Sequence, residues 1–361
     1  MRATLLTIIG IHGIIHLFGF LEAFNIIEFE AISEPISKPH GIIWLMAFIL
    51  FSVALILNVF QQDYWWLAGI VGVVISQAII AVNWNDAKFG TLLNIFILIS
   101  ILMAFSAWNF EQKVSQERKK LLAEQITLPG EIITKQDIAH LPNVVQNWLK
   151  STGILDKSSI FSAYLEQELL MLMKPGQKKW MEAKASQVFT VEPPAFNWSV
   201  NLKMNAFTKV LGRDKFENGE AEMIIKLFSI MPIVNIKKNK KVNQAALQRY
   251  LAEIIWFPSA AVSPYIQWEA IDDHSAKATM NCGETSGSGF FYFDDDGNFK
   301  KYAAMRYKDA DDSHPTEWTV AVIRSQTLNG IKIPVEAKVS WKLPEGDWTW
   351  LQLRVTKINY S

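Results

Sequence analysis

The sequence contains almost no cysteine: one thiol, Cys282, in 361 residues. A single thiol excludes an intrachain disulfide and any zinc site built from several thiolates. Charge is nearly missing from the first third. Residues 1–109 hold three basic side chains (Arg2, Lys38, Lys88) and six acidic ones, leaving 32 of the 35 basic and 29 of the 35 acidic residues to the remainder. That remainder is balanced, with no strongly basic face for nucleic acid, so nucleic acid is not an expected partner. A glycine-rich phosphate loop, a G-x-S-x-G elbow and an H-E-x-x-H motif are also absent.

What fills the first third is apolar sequence. Residues 3–21, 41–60, 64–84 and 91–108 are four uncharged runs of 18 to 21 residues. At about 1.5 Å per helical residue, each can cross a hydrocarbon core of roughly 30 Å. Four membrane spans are therefore expected, with the bilayer as a partner. The first is expected to be a retained helix and not a cleaved signal peptide, because its apolar stretch is too long and no small-x-small site follows. With four spans both ends face one side, where Arg2, Lys113, Arg118, Lys119 and Lys120 outnumber Lys38 and Lys88 across the membrane. The positive-inside rule then predicts a cytoplasmic soluble domain. Trp44, Trp65, Trp66, Trp84 and Trp108 fall near span ends and are expected in the interfacial belt.

His12 and His16 lie four apart on the first span, so they share a helix face and could share a metal, a haem, a proton or a hydrogen-bond partner. Ionisable groups at that depth raise a functional suspicion. Equally, neutral imidazoles can bond to neighbouring helices and serve only the bundle. Glu22 is rotated off that face, and Asp86 is placed to cap the fourth span.

The second part changes character. A charged helical connector over 110–128 is expected to end at Pro129-Gly130, opening a soluble domain over 129–361. Thr134 and Asp137 are spaced as a capping pair, and Pro142 suits the start of a helix carrying Val144, Val145, Trp148 and Leu149 to Gly153. From Phe161 onward apolar residues alternate with polar ones, as in Phe196, Trp198, Val200 and Leu202, or Val335, Ala337, Val339 and Trp341. Turn signals such as Asn218-Gly219, Asp296-Gly297 and Asn329-Gly330 separate the runs. The reading is an α+β domain with a curved antiparallel sheet of nine to eleven strands. One helix interrupts it, with Leu247, Leu251, Ile254 and Ile255 on its apolar face. Such a layered arrangement commonly encloses an apolar ligand. Cys282 reads as a strand residue of the core, and the run Asp294, Asp295, Asp296 as a solvated turn.

The phrases P-P-A-F-N-W (193–198), G-R-D (212–214), R-Y-L-A-E-I-I-W-F-P (249–258) and a late Ile333-Pro334 with Trp341 resemble a bacterial membrane-anchored family of unknown function (DUF6544/DUF6920-like). The resemblance covers roughly residues 129–360 and extends to I-H-G-I-I-H-L-F-G-F and D-A-K-F-G-T-L-L-N in the membrane part. It implies a bacterial cytoplasmic (inner) membrane location and a sheet similar to the lipoprotein-carrier half-barrels, with the R-Y-L-A-E helix packed on the concave face. It implies no settled activity.

Arg249 and Glu253 share a helix face, with Trp256 within one turn. They form either a polar grip on an anionic headgroup at the mouth of an apolar pocket or an intrahelical ion pair that also bonds to Arg306 or Asp272. The candidate ligand-binding set is Arg249, Glu253, Trp256, Arg306 and Trp198; the candidate metal ligands are His12 and His16. The leading expectation is a membrane-anchored binding protein for a lipid or other apolar ligand. The alternative is a membrane enzyme or redox protein with a metal or haem at the first span. No catalytic residue and no particular cofactor are predicted.

Overall fold

The computed structural model describes residues 2–29, 34–125, 131–204 and 208–361. They form two compact units, Met1–Gln112 and Lys113–Ser361. Pro129-Gly130, the expected end of the connector, lies outside the described residues.

The first unit is helical: α1 (Arg2–Ala23), α2 (Lys38–Val59), α3 (Trp65–Val82), the single turn α4 (Trp84–Ala87) and the first part of α5 (Gly90–Glu124). Helices α1, α2, α3 and α5 are long and apolar enough to cross a membrane. Their inward residues, among them Ile9, Ala47, Phe51 and Ile97, are sealed from solvent, while Ile11, Ile14, Ile42, Ile49 and Ile56 are exposed. A helix that is apolar on both faces needs an apolar surrounding on its outside as well. Trp44 departs from the belt expectation: it is buried in the bundle, its ring 5.4 Å from that of His16. Gly19 makes this possible, since a Cβ there would lie 2.2 Å from the indole.

The second unit begins within α5 and is built on one antiparallel sheet. After α6 (Asn143–Thr152) come β1 (Ser162–Met171), β2 (Met181–Thr190), β3 (Ala195–Lys203), β4 (Lys209–Glu217), β5 (Glu220–Leu227) and β6 (Met231–Lys237). Helix α7 (Lys240–Glu253) and 3-10 helices at Ile254–Trp256 and Pro258–Val262 follow. Then come β7 (Ile266–Asp272), β8 (Ser275–Cys282), β9 (Thr285–Phe293), β10 (Phe299–Arg306), β11 (Thr316–Leu328), β12 (Ile331–Leu343) and β13 (Gly346–Tyr360). The strand order is β6-β5-β4-β3-β2-β1-β13-β12-β11-β10-β9-β8-β7. Sequence alternation gave nine to eleven strands; the sheet has 13. The undercount has a physical cause. Strand β4 is buried on both faces over much of its length, which erases the two-residue period from which strands are read.

Helix α6 matches its expected signals, from Pro142 at the cap position to Gly153 in the left-handed region at φ 71°. The segment 135–140 is a run of turns and not a helix, although Thr134 does donate its backbone N–H to Asp137 Oδ2 (2.7 Å). Helix α7 is capped by Asn239, whose side chain accepts from the N–H groups of Lys241 and Val242.

Helix α7 packs against β4 and β5 on one wing of the sheet and against β8, β9 and β10 on the other. Strands β5 and β9 are nine places apart, about 43 Å in a flat sheet at roughly 4.8 Å per strand. One helix about 10–12 Å across can touch both only because the sheet is curved. The wings also meet directly: Thr285 Oγ1 donates to the Gly219 carbonyl at 2.7 Å. Gly219 has φ +80°, and a Cβ there would lie 2.3 Å from the Cys282 carbonyl oxygen.

Gly219→Ala is expected to destabilise the second unit by about 2–4 kcal/mol, from left-handed strain plus the clash with Cys282. Gly176 has φ +76° with no atom within 4 Å of a built Cβ, so Gly176→Ala is the control and should cost only about 1–2 kcal/mol. Denaturant unfolding of the full chain followed by tryptophan fluorescence checks the difference; equal losses would show that the wings do not close here.

Candidate functional site

Arg249 and Glu253 sit one turn apart on α7 and form an ion pair, Nε to Oε1, at 3.0 Å. The guanidinium also donates through Nη1 to Asp214 Oδ2 at 2.6 Å and through Nη2 to Gln187 Oε1 at 3.4 Å. Gln187 Nε2 donates to Glu253 Oε2 at 2.8 Å, which closes the ring of contacts. The guanidinium lies over the rings of Trp198 (4.8 Å) and Phe196 (5.0 Å), and Trp198 Nε1 donates to Gln167 Oε1. Arg249 is thus saturated by the protein itself.

The expected second partner was Arg306 or Asp272; the structure puts Asp214 there. Asp272 accepts from the backbone N–H of His274 and from Ser275 Oγ in its own turn. Successive strand residues face opposite ways. Asp214 therefore points to α7, while its neighbour Arg213 takes the other face, between Glu117 (3.1 Å) and Glu222 (3.0 Å). Burial opposes the charge of Arg249, yet Glu253 and Asp214 outweigh it and hold the guanidinium above its ordinary value. Burial also pushes the Glu253 carboxyl upward against the pull of Arg249.

Arg306, on β10, faces the same helix and donates from Nε to the Ala245 carbonyl at 2.9 Å. Its guanidinium lies 4.7 Å from the ring centre of Trp318 and 5.7 Å from that of Trp341. Among the described residues no carboxylate forms a salt bridge with it. Burial, with the nearby charge of Arg249, pushes it down to about 10. Trp256 is elsewhere: it is buried in the core, donates from Nε1 to the Pro334 carbonyl and packs near Phe189. Four of the five candidate ligand residues thus gather beside α7, and Trp256 does not.

Strand register extends this face. The side that carries Gln167, Trp198 and Asp214 also carries Leu169, Ala183, Leu202, Val339 and Leu351, all buried. Beside them Met181, Ile225, Val322, Leu343, Trp348 and Trp350 are only half-buried. Cys282 is in the core, where burial pushes its thiol upward and away from the reactive thiolate. Asp294 is engaged in its turn by the N–H and side-chain amide of Asn298.

In the helical unit His12 Nε2 lies 2.8 Å from Asn94 Oδ1 and 3.1 Å from Ser76 Oγ. Asn94 Oδ1 is an acceptor, so His12 Nε2 carries the proton. His16 Nδ1 donates to the His12 carbonyl at 2.8 Å. The remaining nitrogens, His12 Nδ1 and His16 Nε2, are buried and have no hydrogen-bond partner among the described residues. Among the described residues no three or more His, Cys, Asp or Glu side chains gather as a metal-holding group. The observed partners of His12 tie α1 to α3 and α5.

The family of unknown function DUF6544 matches residues 131–353. The chain belongs to that family. No curated protein sequence matches it. Among solved structures it is similar to a LolA superfamily protein from Nitrosomonas europaea at 9% sequence identity, with a TM-score of 0.32, over 60% of this chain and 93% of that chain.

In this DUF6544 chain the residues that sequence reasoning passed over are Gln187 and Tyr302, together with Asp214 as a partner of α7. Their signal was parity: each falls on the same alternating face as a buried apolar neighbour two residues away, Phe189, Ala304 or Phe216. Removing Arg249 leaves two buried carboxylates uncompensated, so Arg249→Met is expected to destabilise the chain by about 3–5 kcal/mol at neutral pH. The sign with pH follows from the carboxyls. Burial raises the Glu253 carboxyl, and without Arg249 nothing of comparable charge opposes that, so its contribution is retained at low pH and lost as pH rises through the folded value. The deficit should shrink as pH falls to about 5, as measured by denaturant unfolding at both pH values. In the helical unit His12→Leu should lower stability in detergent by about 0.6–1.7 kcal/mol, read from thermal unfolding.

Proposed function

We propose that this chain is a membrane-anchored binding protein for a lipid or other apolar molecule. The observation that carries the reading is the half-buried apolar wall of Met181, Ile225, Val322, Leu343, Trp348 and Trp350 on the sheet face that carries α7. That face is the concave one in this reading, since α7 touches both wings. The helix fills part of the curve and leaves apolar surface beside it, which is the kind of lining a ligand pocket needs. Arg249, Glu253, Trp198 and Arg306 form the polar border of that wall; Arg249 and Glu253 satisfy each other, which leaves Arg306 as the placed polar group that orients an otherwise apolar guest.

Anchoring rests on the four apolar helices and the exposed isoleucines on their outer faces. The excess of Lys and Arg at the two ends of the four-span segment supports the bacterial cytoplasmic membrane, with the sheet domain on the cytoplasmic side. Bilayer lipid and the apolar guest are the partners of this reading.

The test is quenching of tryptophan fluorescence by a brominated fatty acid added to the delipidated full chain in neutral detergent. Trp348 and Trp350 lie on the wall, so saturable quenching is expected, and Leu343→Asp should weaken it by about tenfold, the cost of burying a charge against an acyl chain. Unsaturable quenching in a folded chain would sink the reading.

A further inference from the structure

The two arginines beside α7 are in opposite states. Arg249 is matched by Asp214, Glu253 and Gln187. Among the described residues Arg306 has one protein acceptor, the Ala245 carbonyl, and otherwise faces the rings of Trp318 and Trp341. A half-buried cation with no carboxylate in salt-bridge contact among the described residues is costly, so an Arg retained in that condition implies that something else supplies the acceptor.

The same wall holds further donors without acceptors. Trp318 is 4% exposed, and among the described residues its indole N–H has no hydrogen-bond partner. Neither do the buried indole N–H groups of Trp348 and Trp350 nor the hydroxyl of Tyr302. These residues are neighbours by register. Tyr302, Ala304 and Arg306 share one face of β10, and Ala304 pairs with Trp318 of β11. Trp318 pairs with Trp341, and Trp341 with Trp348. Trp350 sits at the irregularity between Val339 and Ser340. Directly opposed side chains stand about 4.5–5.5 Å apart at Cβ, so the donors form one continuous strip. An indole N–H can only donate, and a guanidinium can only donate. The guanidinium of Arg306 and the indoles of Trp318, Trp348 and Trp350 offer donors only, and such a group is complementary to oxygen anions.

We propose that the molecule bound on this face is an amphiphile with an anionic oxygen head, which the Arg306 guanidinium and the Trp318 indole N–H hold while its apolar chain runs along the half-buried wall. The inference rests on the binding reading above and adds the head-group chemistry. A fatty carboxylate and a phospholipid phosphate both provide it.

The experiment compares heads on one chain. The full-length protein, delipidated in neutral detergent, is titrated with oleate against oleyl alcohol and with dioleoyl phosphatidic acid against dioleoylglycerol, each read by native mass spectrometry. The wild type should prefer at least one anion over its neutral counterpart by about tenfold or more, the scale of a charge-assisted hydrogen bond. Preference within the oleyl pair identifies a carboxylate ligand; preference within the dioleoyl pair identifies a phosphate ligand. Arg306→Gln should abolish the preference, because it weakens binding of the anionic heads by more than it weakens binding of the neutral ones. Trp318→Phe keeps the stacking ring and removes only the N–H, so it should reduce the preference by roughly threefold to tenfold even if Arg306→Gln does not fold. Equal binding of anionic and neutral heads in the wild type overturns this inference and leaves the binding reading standing. Binding of none of the four overturns both.

Discussion

The pairing of β1 with β13 is the interaction on which the rest of the soluble unit depends. It joins the first strand to the last along Ala163–Met171 and Leu351–Tyr360, so that the chain runs outward through β2 to β6 on one side and inward through β7 to β13 on the other. The two edges of the sheet are therefore consecutive in sequence, and the segment between them has to travel from one to the other. Helix α7 is in that segment. Its place against both wings follows from this connectivity, and irregularities at Glu166/Gln167, Val322/Arg324 and Val339/Ser340 add local bends to the central strands.

Polar groups buried by this arrangement are mostly met by groups of opposite character. On the face away from α7, Arg118 donates to Ser186, Ser199 and Asn197, and Asn197 donates in turn to Glu117. The helical extension is thus fixed on β2 and β3 by hydrogen bonds where apolar contact would have been the simpler solution. Buried charge of this kind specifies one register more than it stabilises, because each ion has first lost its water. The arginine on β10 stands out against that background for being left incomplete.

Much of this was legible in the chain. Long uncharged runs announced the helices at 2–23, 38–59, 65–82 and 90–124, and Pro142 with Gly153 bracketed α6 closely. The Arg249–Glu253 pair followed from spacing alone. What could not be read was long-range pairing. Asp214 was visible only as the neighbour of Arg213, and nothing local tells that the two point to opposite layers until the sheet is known to be covered on both sides. The same two-sided covering hid strands from a two-residue period. Trp44 misled for a related reason: an indole near a span end suits the headgroup layer, but a glycine on the next helix offers it a better-packed place.

A sheet of 13 strands that remains open has two margins, and both are built to refuse a neighbour. The strand at one margin, β6, is seven residues long, contains Pro232, which has no N–H to offer, and shifts register against β5. The other, β7, is equally short, shifts register near Asp272 and exposes Glu269. Proline, brevity, displaced register and charge are the means by which edge strands avoid pairing with another molecule. Two copies that met edge to edge would find no regular ladder of free N–H and C=O groups at these margins, and these features keep each sheet separate from the next.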